Sequence, residues 1–204
     1  MNKIRLILIC SILFASTLPA LITDRGLINY PNYYFIETGT GNGNGVQEAI
    51  DTTNFLFFYT MDVFNGSGSS VHEQFASNPN VNILKGDTGV DLDDILTNIN
   101  LPATIWLDAE FPSYSSSKFY YDKGITAQIS PLLNELNQIK DHYIKTHTIL
   151  INNIYIVCEM FSSIYTLTDI ENAIYAINDN YIIEYVNGGN DSNRPKNVLY
   201  AYIP

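Results

Sequence analysis

Hydrophobic residues recur along this chain in two alternating patterns. Short apolar runs, too brief for helices, alternate with stretches whose apolar residues return every three or four positions. Tyr33–Glu37, Phe55–Tyr59, Val81–Leu84, Ala103–Leu107 and His147–Ile151 read as strands. The unbroken run Phe55-Leu-Phe-Phe-Tyr59 suits a strand buried on both faces. Between the strands, Gly45–Thr52 is a helical stretch with Val46, Ala49 and Ile50 on one face. A weaker helix is predicted over Gly68–Ser77, another around Leu92–Asn98, and a stronger one from Ser130 to about Tyr143. In the last, Ser130 is the expected N-cap, Pro131 the first helical residue, and Leu132, Leu133, Leu136 and Ile139 the apolar stripe. Thr168-Asp-Ile-Glu171 reads as a capping box opening a helix through Ile177. Tyr181–Val186 and Val198–Ile203 close the chain. Only a polar loop joins them, so they should pair antiparallel.

This alternation predicts an α/β fold with a mainly parallel sheet and helices on both faces. At 204 residues and 46% hydrophobic content, the chain can bury the core of one such domain. Asp and Glu number 21 against 10 Lys and Arg, for a net charge of −11. An acidic surface repels phosphate backbones, which argues against nucleic acid as the partner.

The first residues stand apart. Lys3 and Arg5 precede the apolar run Leu6–Ala15, and Ser16-Thr-Leu-Pro-Ala20 follows, which is the shape of a secretory signal peptide. Leu18 is bulky for a cleavage site, and the stretch to Ile22 is marginal for spanning a bilayer. Residues 1–22 are therefore expected to be a signal peptide or an N-terminal membrane anchor. Either would place the domain, residues 23–204, in the secretory pathway, secreted or tethered. Cys10 lies in this leader, so Cys158 is left without an intramolecular partner and reads as a packed apolar residue. Asn65-Gly-Ser67 and Asn190-Asp-Ser192 are glycosylation sequons.

The segment after the first strand carries the chemistry. Glu37 is followed by Gly39, Gly41, Gly43 and Gly45 at alternate positions, and then by a helix. In open α/β sheets ligands sit at the carboxyl ends of strands, at the switch point, which is where this loop falls if the first strand is central. A P-loop would need Lys after the glycines, and none follows. The dinucleotide fingerprint G-x-G-x-x-G differs in spacing, and Glu37 would repel a pyrophosphate.

Glu37-x-Gly39-x-Gly41-x-Gly43 resembles motif I of the class I, Rossmann-like S-adenosylmethionine-dependent methyltransferases. The resemblance implies that Glu37 and the glycines hold the cationic amino-acid end of S-adenosylmethionine. Asp62, ending the second strand, would accept from the ribose hydroxyls. Asp87, after the third, would lie by the adenine, and Asp108, ending the fourth, near the methyl group. The implied fold is a Rossmann-like three-layer sandwich with a seven-stranded, mostly parallel sheet and an antiparallel last strand. The acceptor is unspecified, and a small molecule or glycan is expected before nucleic acid.

Phe35-Ile-Glu-Thr-Gly, Ile105-Trp-Leu-Asp-Ala, Pro131–Lys140 and His147–Asn153 also resemble a poorly characterised group of small methyltransferase-like proteins. That resemblance leads one to expect His after Leu-Asp-Ala and an Asp pair after the fifth strand. Here Glu110, Asn152 and Asn153 occupy those places. With Asp108 they are the candidate catalytic positions. The replacements open a second reading, a catalytically degenerate methyltransferase-like binding protein that is secreted or membrane-tethered. Asp108, Asn152 and Asn153 could offer oxygens to Mg²⁺, but amides are weaker ligands than carboxylates and no metal is expected. His142 and His147 share no helical face, which argues against a zinc pair. Trp106 is expected in the core and His72 in solvent. Pro112–Gln128, rich in Ser and Tyr, is placed as a lid or substrate loop, with Tyr114, Tyr120 and Tyr121 as candidates to line an acceptor pocket.

Overall fold

The computed structural model describes residues 26–63, 69–109, 130–160, 165–188 and 195–204. The leader, both sequons, Glu110 and the Pro112–Gln128 segment with its three tyrosines lie outside these residues. Among the described residues no helix is long and apolar enough to cross a membrane.

Seven strands form one sheet: β1 Tyr34–Thr38, β2 Phe57–Asp62, β3 Val81–Lys85, β4 Ala103–Leu107, β5 Thr148–Ile151, β6 Ile182–Val186 and β7 Val198–Tyr202. Their order is β3-β2-β1-β4-β5-β7-β6. The first five run parallel, and β7 is antiparallel to both β5 and β6. The chain steps outward from β1 to β3, then returns to β4 on the other side of β1. The switch point therefore lies between β1 and β4, in register from Tyr34↔Ala103 to Thr38↔Leu107.

Helices cover both faces. α1 Asn44–Asp51 and α2 Ser69–Phe75 lie on one side; α3 Thr88–Asp91, α4 Asp93–Leu96, α5 Leu132–Asp141, α6 Ile154–Met160 and α7 Leu167–Ile177 belong to the other. Strand alternation sorts the core into two clusters. Phe35, Phe58, Trp106 and Leu150 pack against Val46, Ala49, Val71 and Phe75. Ile36, Met61, Ile105, Leu107, Ile149 and Ile151 pack against Leu132, Leu136, Ile139, Ile170 and Ile174. Each fully buried Leu, Ile or Phe here contributes about 1.5–3 kcal/mol. Trp106 is fully buried, as its run of apolar neighbours implies.

Several local details differ from the sequence pattern. The helix expected around Leu92–Asn98 is two single turns, α3 and α4, broken at Leu92. α5 begins one residue later than expected, with Pro131 as its N-cap; the Ser130 hydroxyl bonds the phenol of Tyr165 instead. The capping box sits two residues earlier than Thr168–Glu171. Thr166 is the N-cap, its hydroxyl accepting from the Asp169 N–H while the Asp169 carboxylate accepts from the Thr166 N–H. α6 has no clear mark in the sequence, because Ile154-Tyr-Ile-Val-Cys carries β-branched residues that read equally well as strand.

Candidate functional site

β1 delivers Glu37 and Thr38 to the carboxyl edge on opposite faces of the sheet. Glu37 is 1% exposed, and its Oε2 accepts from the Thr60 hydroxyl of β2 at 3.0 Å. The Thr60 hydroxyl lies 2.8 Å from that of Thr40 in the glycine turn. A buried carboxylate braced in this way keeps a fixed direction.

The turn itself runs through Gly39, Gly41 and Gly43 at φ of 82°, 50° and 77°, a region that favours glycine. A Cβ on Gly39 would stand 2.7 Å from the Asp108 carbonyl oxygen, so the β1 and β4 ends touch only because no side chain intervenes. A Cβ on Gly41 would meet nothing within 4 Å. Gly39 thus closes the turn against the fold, and Gly41 is where an outside group can approach. The Gly41 N–H donates to Asp62 Oδ2 at 3.1 Å, joining the turn to the end of β2. Gly43 then caps α1. Asp87 caps α3, with Oδ1 accepting from the Gly89 N–H at 3.0 Å, and its own N–H donates to Asp91 Oδ2 at 2.8 Å.

Beyond the switch point, Asp108 follows β4. Its Oδ1 accepts from Asn152 Nδ2 at 2.9 Å, its Oδ2 from Trp106 Nε1 at 3.3 Å, and its N–H donates to Thr38 Oγ1 at 3.1 Å. Asn152 is fully buried just past β5, where its N–H extends the ladder to the Leu107 carbonyl at 3.1 Å. The Oδ1 atoms of Asn152 and Asn153 are buried without a hydrogen-bond partner among the described residues. Asn153 adopts φ 51°, a conformation Asn tolerates better than most residues. Glu37, the three glycines, Asp62, Asp87, Asp108, Asn152 and Asn153 therefore all fall along the carboxyl edge. Glu110 lies outside the described residues.

One residue of this edge was missed in the sequence. Glu135, on α5, is 1% exposed, and its Oε1 has no hydrogen-bond partner among the described residues. Burial pushes its carboxyl up to about 7; the Thr88 and Thr38 hydroxyls pull it down, and the Asp87 and Asp108 charges push it further up. A signal was present. Glu135 falls three residues after Leu132 and four before Ile139, on the buried stripe of a 3.6-residue period.

Other titratable groups lie elsewhere. His142 Nδ1 and His147 Nε2 are 3.0 Å apart, and the Ala103 N–H donates to His147 Nδ1 at 3.1 Å. His147 Nε2 therefore carries the proton that His142 Nδ1 accepts. This pair sits at the amino ends of β4 and β5, across the sheet from the site. Burial, then the charge of a protonated His142 and Lys145, lowers His147 to about 3. Cys158 is half-buried on α6, and burial raises its thiol. An open groove along edge strand β3, lined by Tyr59, Phe75, Ile83 and Asn98, includes none of the glycine turn.

No protein-family model matches the chain, and no curated protein matches it either. Solved structures do. A Streptococcus mutans protein classed as a candidate methyltransferase, crystallised with S-adenosylhomocysteine, is 15% identical with a TM-score of 0.50, covering 84% of this chain and 89% of its own. A Bacillus cereus O-methyltransferase, also solved with S-adenosylhomocysteine, is 11% identical with a TM-score of 0.53, covering 87% and 77%. At these identities the likeness is one of architecture: the chain has the Rossmann-like fold of the class I methyltransferases.

Proposed function

We propose that this chain binds S-adenosylmethionine and passes its methyl group to a small-molecule or glycan acceptor. The observation that carries this reading is the glycine turn: a buried, braced Glu37 beside an open Gly41 whose N–H is tied to Asp62. The lining suits a cationic nucleoside. Glu37 would take the ammonium, and the N–H groups opening α1 would take the carboxylate. Asp62 would accept from the ribose hydroxyls and Asp87 would lie by the adenine. When bound, the cofactor supplies a methyl group on a positively charged sulfur. The part left to the chain is positioning and exclusion of water. Asp108, held by Asn152 and Trp106, would orient the acceptor, with Asn153 and Glu110 as further candidates there. Isothermal titration tests the reading: no heat with S-adenosylmethionine or S-adenosylhomocysteine at millimolar ligand would overturn it.

A second reading rests on the Asn152 amide, a neutral group locked onto Asp108 where the resemblance leads one to expect an acid. In that reading the chain is a degenerate relative that binds without turnover. Release of S-adenosylhomocysteine gained by the Asn152→Asp/Asn153→Asp double variant, and absent in the wild type, would favour it. In either case residues 1–22 would direct the domain to the secretory pathway or hold it at a membrane. Fractionation of full-length chain, with its N-terminus sequenced, decides between cleavage and anchoring.

A further inference from the structure

The imidazoles of His142 and His147 lie far from the glycine turn and take no part in the reading above. His142 is the C-cap of α5, its N–H donating to the Gln138 carbonyl at 3.0 Å. His147 immediately precedes β5. Both are buried, with rings 5.2 Å apart and inclined by only 23°. The Ala103 N–H at the start of β4 donates to His147 Nδ1 at 3.1 Å, and His147 Nε2 stands 3.0 Å from His142 Nδ1. One relay thus joins the end of α5 to the starts of β4 and β5. Every lone pair in it is already used. A proton added to His147 Nδ1 would face the Ala103 N–H, and one added to His142 Nδ1 would face the His147 N–H. Either places two donors head to head with no acceptor between them. The remaining nitrogen, His142 Nε2, is buried without a hydrogen-bond partner among the described residues, so it adds nothing that holds the pair closed.

We propose that His142 and His147 form an acid-released latch, closed while both rings are neutral and opened by their joint uptake of two protons, which frees the end of α5 from the starts of β4 and β5 while the rest of the domain stays folded. The closed pair has no place for a proton. Parting the rings frees both lone pairs at once, so the two protons enter together. Burial is the largest influence against a proton on either ring. Among the described residues, the charged groups bearing on the pair are Asp93 of α4, which draws a proton to His142, and Lys145, which opposes one on either ring. Tyr143, edge-on to His142 with ring centres 4.6 Å apart, and Tyr181, whose hydroxyl donates to the His147 carbonyl at 2.7 Å, are the other titratable side chains against the pair. The opposite end of α5 borders the carboxyl edge, where Glu135 lies with Leu107, Ala109 and Ile151. Opening the latch therefore loosens a helix that helps to wall the site.

Two-dimensional NMR of the imidazole and backbone amide signals, followed from about pH 7.5 to about pH 4, reads each group in the intact protein. His142 and His147 are expected to share one midpoint below about 6, with a slope approaching two protons. Exposed His72 should follow a single-proton curve in the same sample. The Ala103 amide should shift with the pair, because its acceptor is lost. The Asn152 amide, bonded to the Leu107 carbonyl at the other end of these strands, should keep its folded position through that transition. In His147→Asn, His142 should titrate alone on a single-proton curve. Separate midpoints for the two rings overturn the proposal, as do rings that titrate while the Ala103 amide stays in place. Loss of every folded signal at the shared midpoint also overturns it, since the domain would then unfold as a whole. The wild-type curves decide by themselves should His147→Asn fail to fold.

Discussion

Asn152 Nδ2 donates to Asp108 Oδ1 at 2.9 Å, joining the carboxyl ends of β5 and β4. The amide is what makes the contact favourable, because a carboxylate at the same place would face Asp108 without a proton between them. Asn152→Asp is expected to cost about 2 kcal/mol at pH 7 by losing a charge-assisted hydrogen bond and adding like charge. For a domain of this size that lowers the melting temperature by roughly 5 °C. The deficit should shrink toward pH 5 as the pair takes up a shared proton. Thermal denaturation at both pH values checks this; an unchanged melting temperature at pH 7 would contradict it.

The glycines of the turn should tolerate a methyl group unequally. Gly39→Ala places a Cβ 2.7 Å from a backbone oxygen that cannot rotate away, at φ 82°. A loss of about 3 kcal/mol is expected from strain and displacement of the β4 end. Gly41→Ala meets open space and bears only its backbone penalty, about 1 kcal/mol. Urea unfolding of the two variants measures the difference, and equal losses would mean that the close approach of β1 and β4 is not tight.

Two buried titratable groups should tilt stability against pH in opposite directions. Glu135 holds its proton more tightly folded than unfolded, so its contribution is complete below about pH 4.5 and fades as pH rises through about 7. Relative to wild type, Glu135→Gln should therefore gain about 2 kcal/mol between pH 5 and 7. His147 is held neutral, so its contribution is complete above about 6.5 and is lost as pH falls toward about 3. His147→Asn keeps an acceptor for the Ala103 N–H but cannot titrate. Over the same range it should lose about 2 kcal/mol relative to wild type. Denaturation midpoints at pH 5, 6 and 7 give both slopes, and slopes of the same sign would contradict the assignment.

The start of α7 offers a local check. Thr166→Ala should cost about 1 kcal/mol by removing the cap from the Asp169 N–H, while Thr166→Ser should be nearly neutral. Thr168→Ala, on an exposed position of the first turn, should stay within about 0.5 kcal/mol. Chemical denaturation distinguishes the two threonines, and the reverse ranking would move the helix start back to Thr168.

Both threonines satisfy the same local rule, a hydroxyl residue followed at the third place by an acid, so the sequence does not choose between them. The choice is made outside the helix. Tyr165 is 3% exposed and its phenol bonds Ser130, which pins the chain immediately before Thr166. α6 is ambiguous in the sequence for a related reason, since its residues suit helix or strand and only burial of Ile154 and Val157 in the cluster that holds Ile151 and Leu199 selects. Glu135 is hard to read from the sequence because acids normally take the solvent side of a helix, although its position in the period places it inward.

By itself, the sequence determined the strands, the parallel α/β class, the antiparallel closing pair and the place of the glycine turn. These follow from apolar period, strand length and backbone freedom, which act over a few residues. Only the tertiary structure decided that β1 lies between β2 and β4, that Asp108 meets Asn152, and that Glu135 is buried beside Leu107, Ala109 and Ile151. Those relations depend on which distant segments share a register and on the desolvation of a charge by its surroundings. Neither quantity exists until the chain has folded.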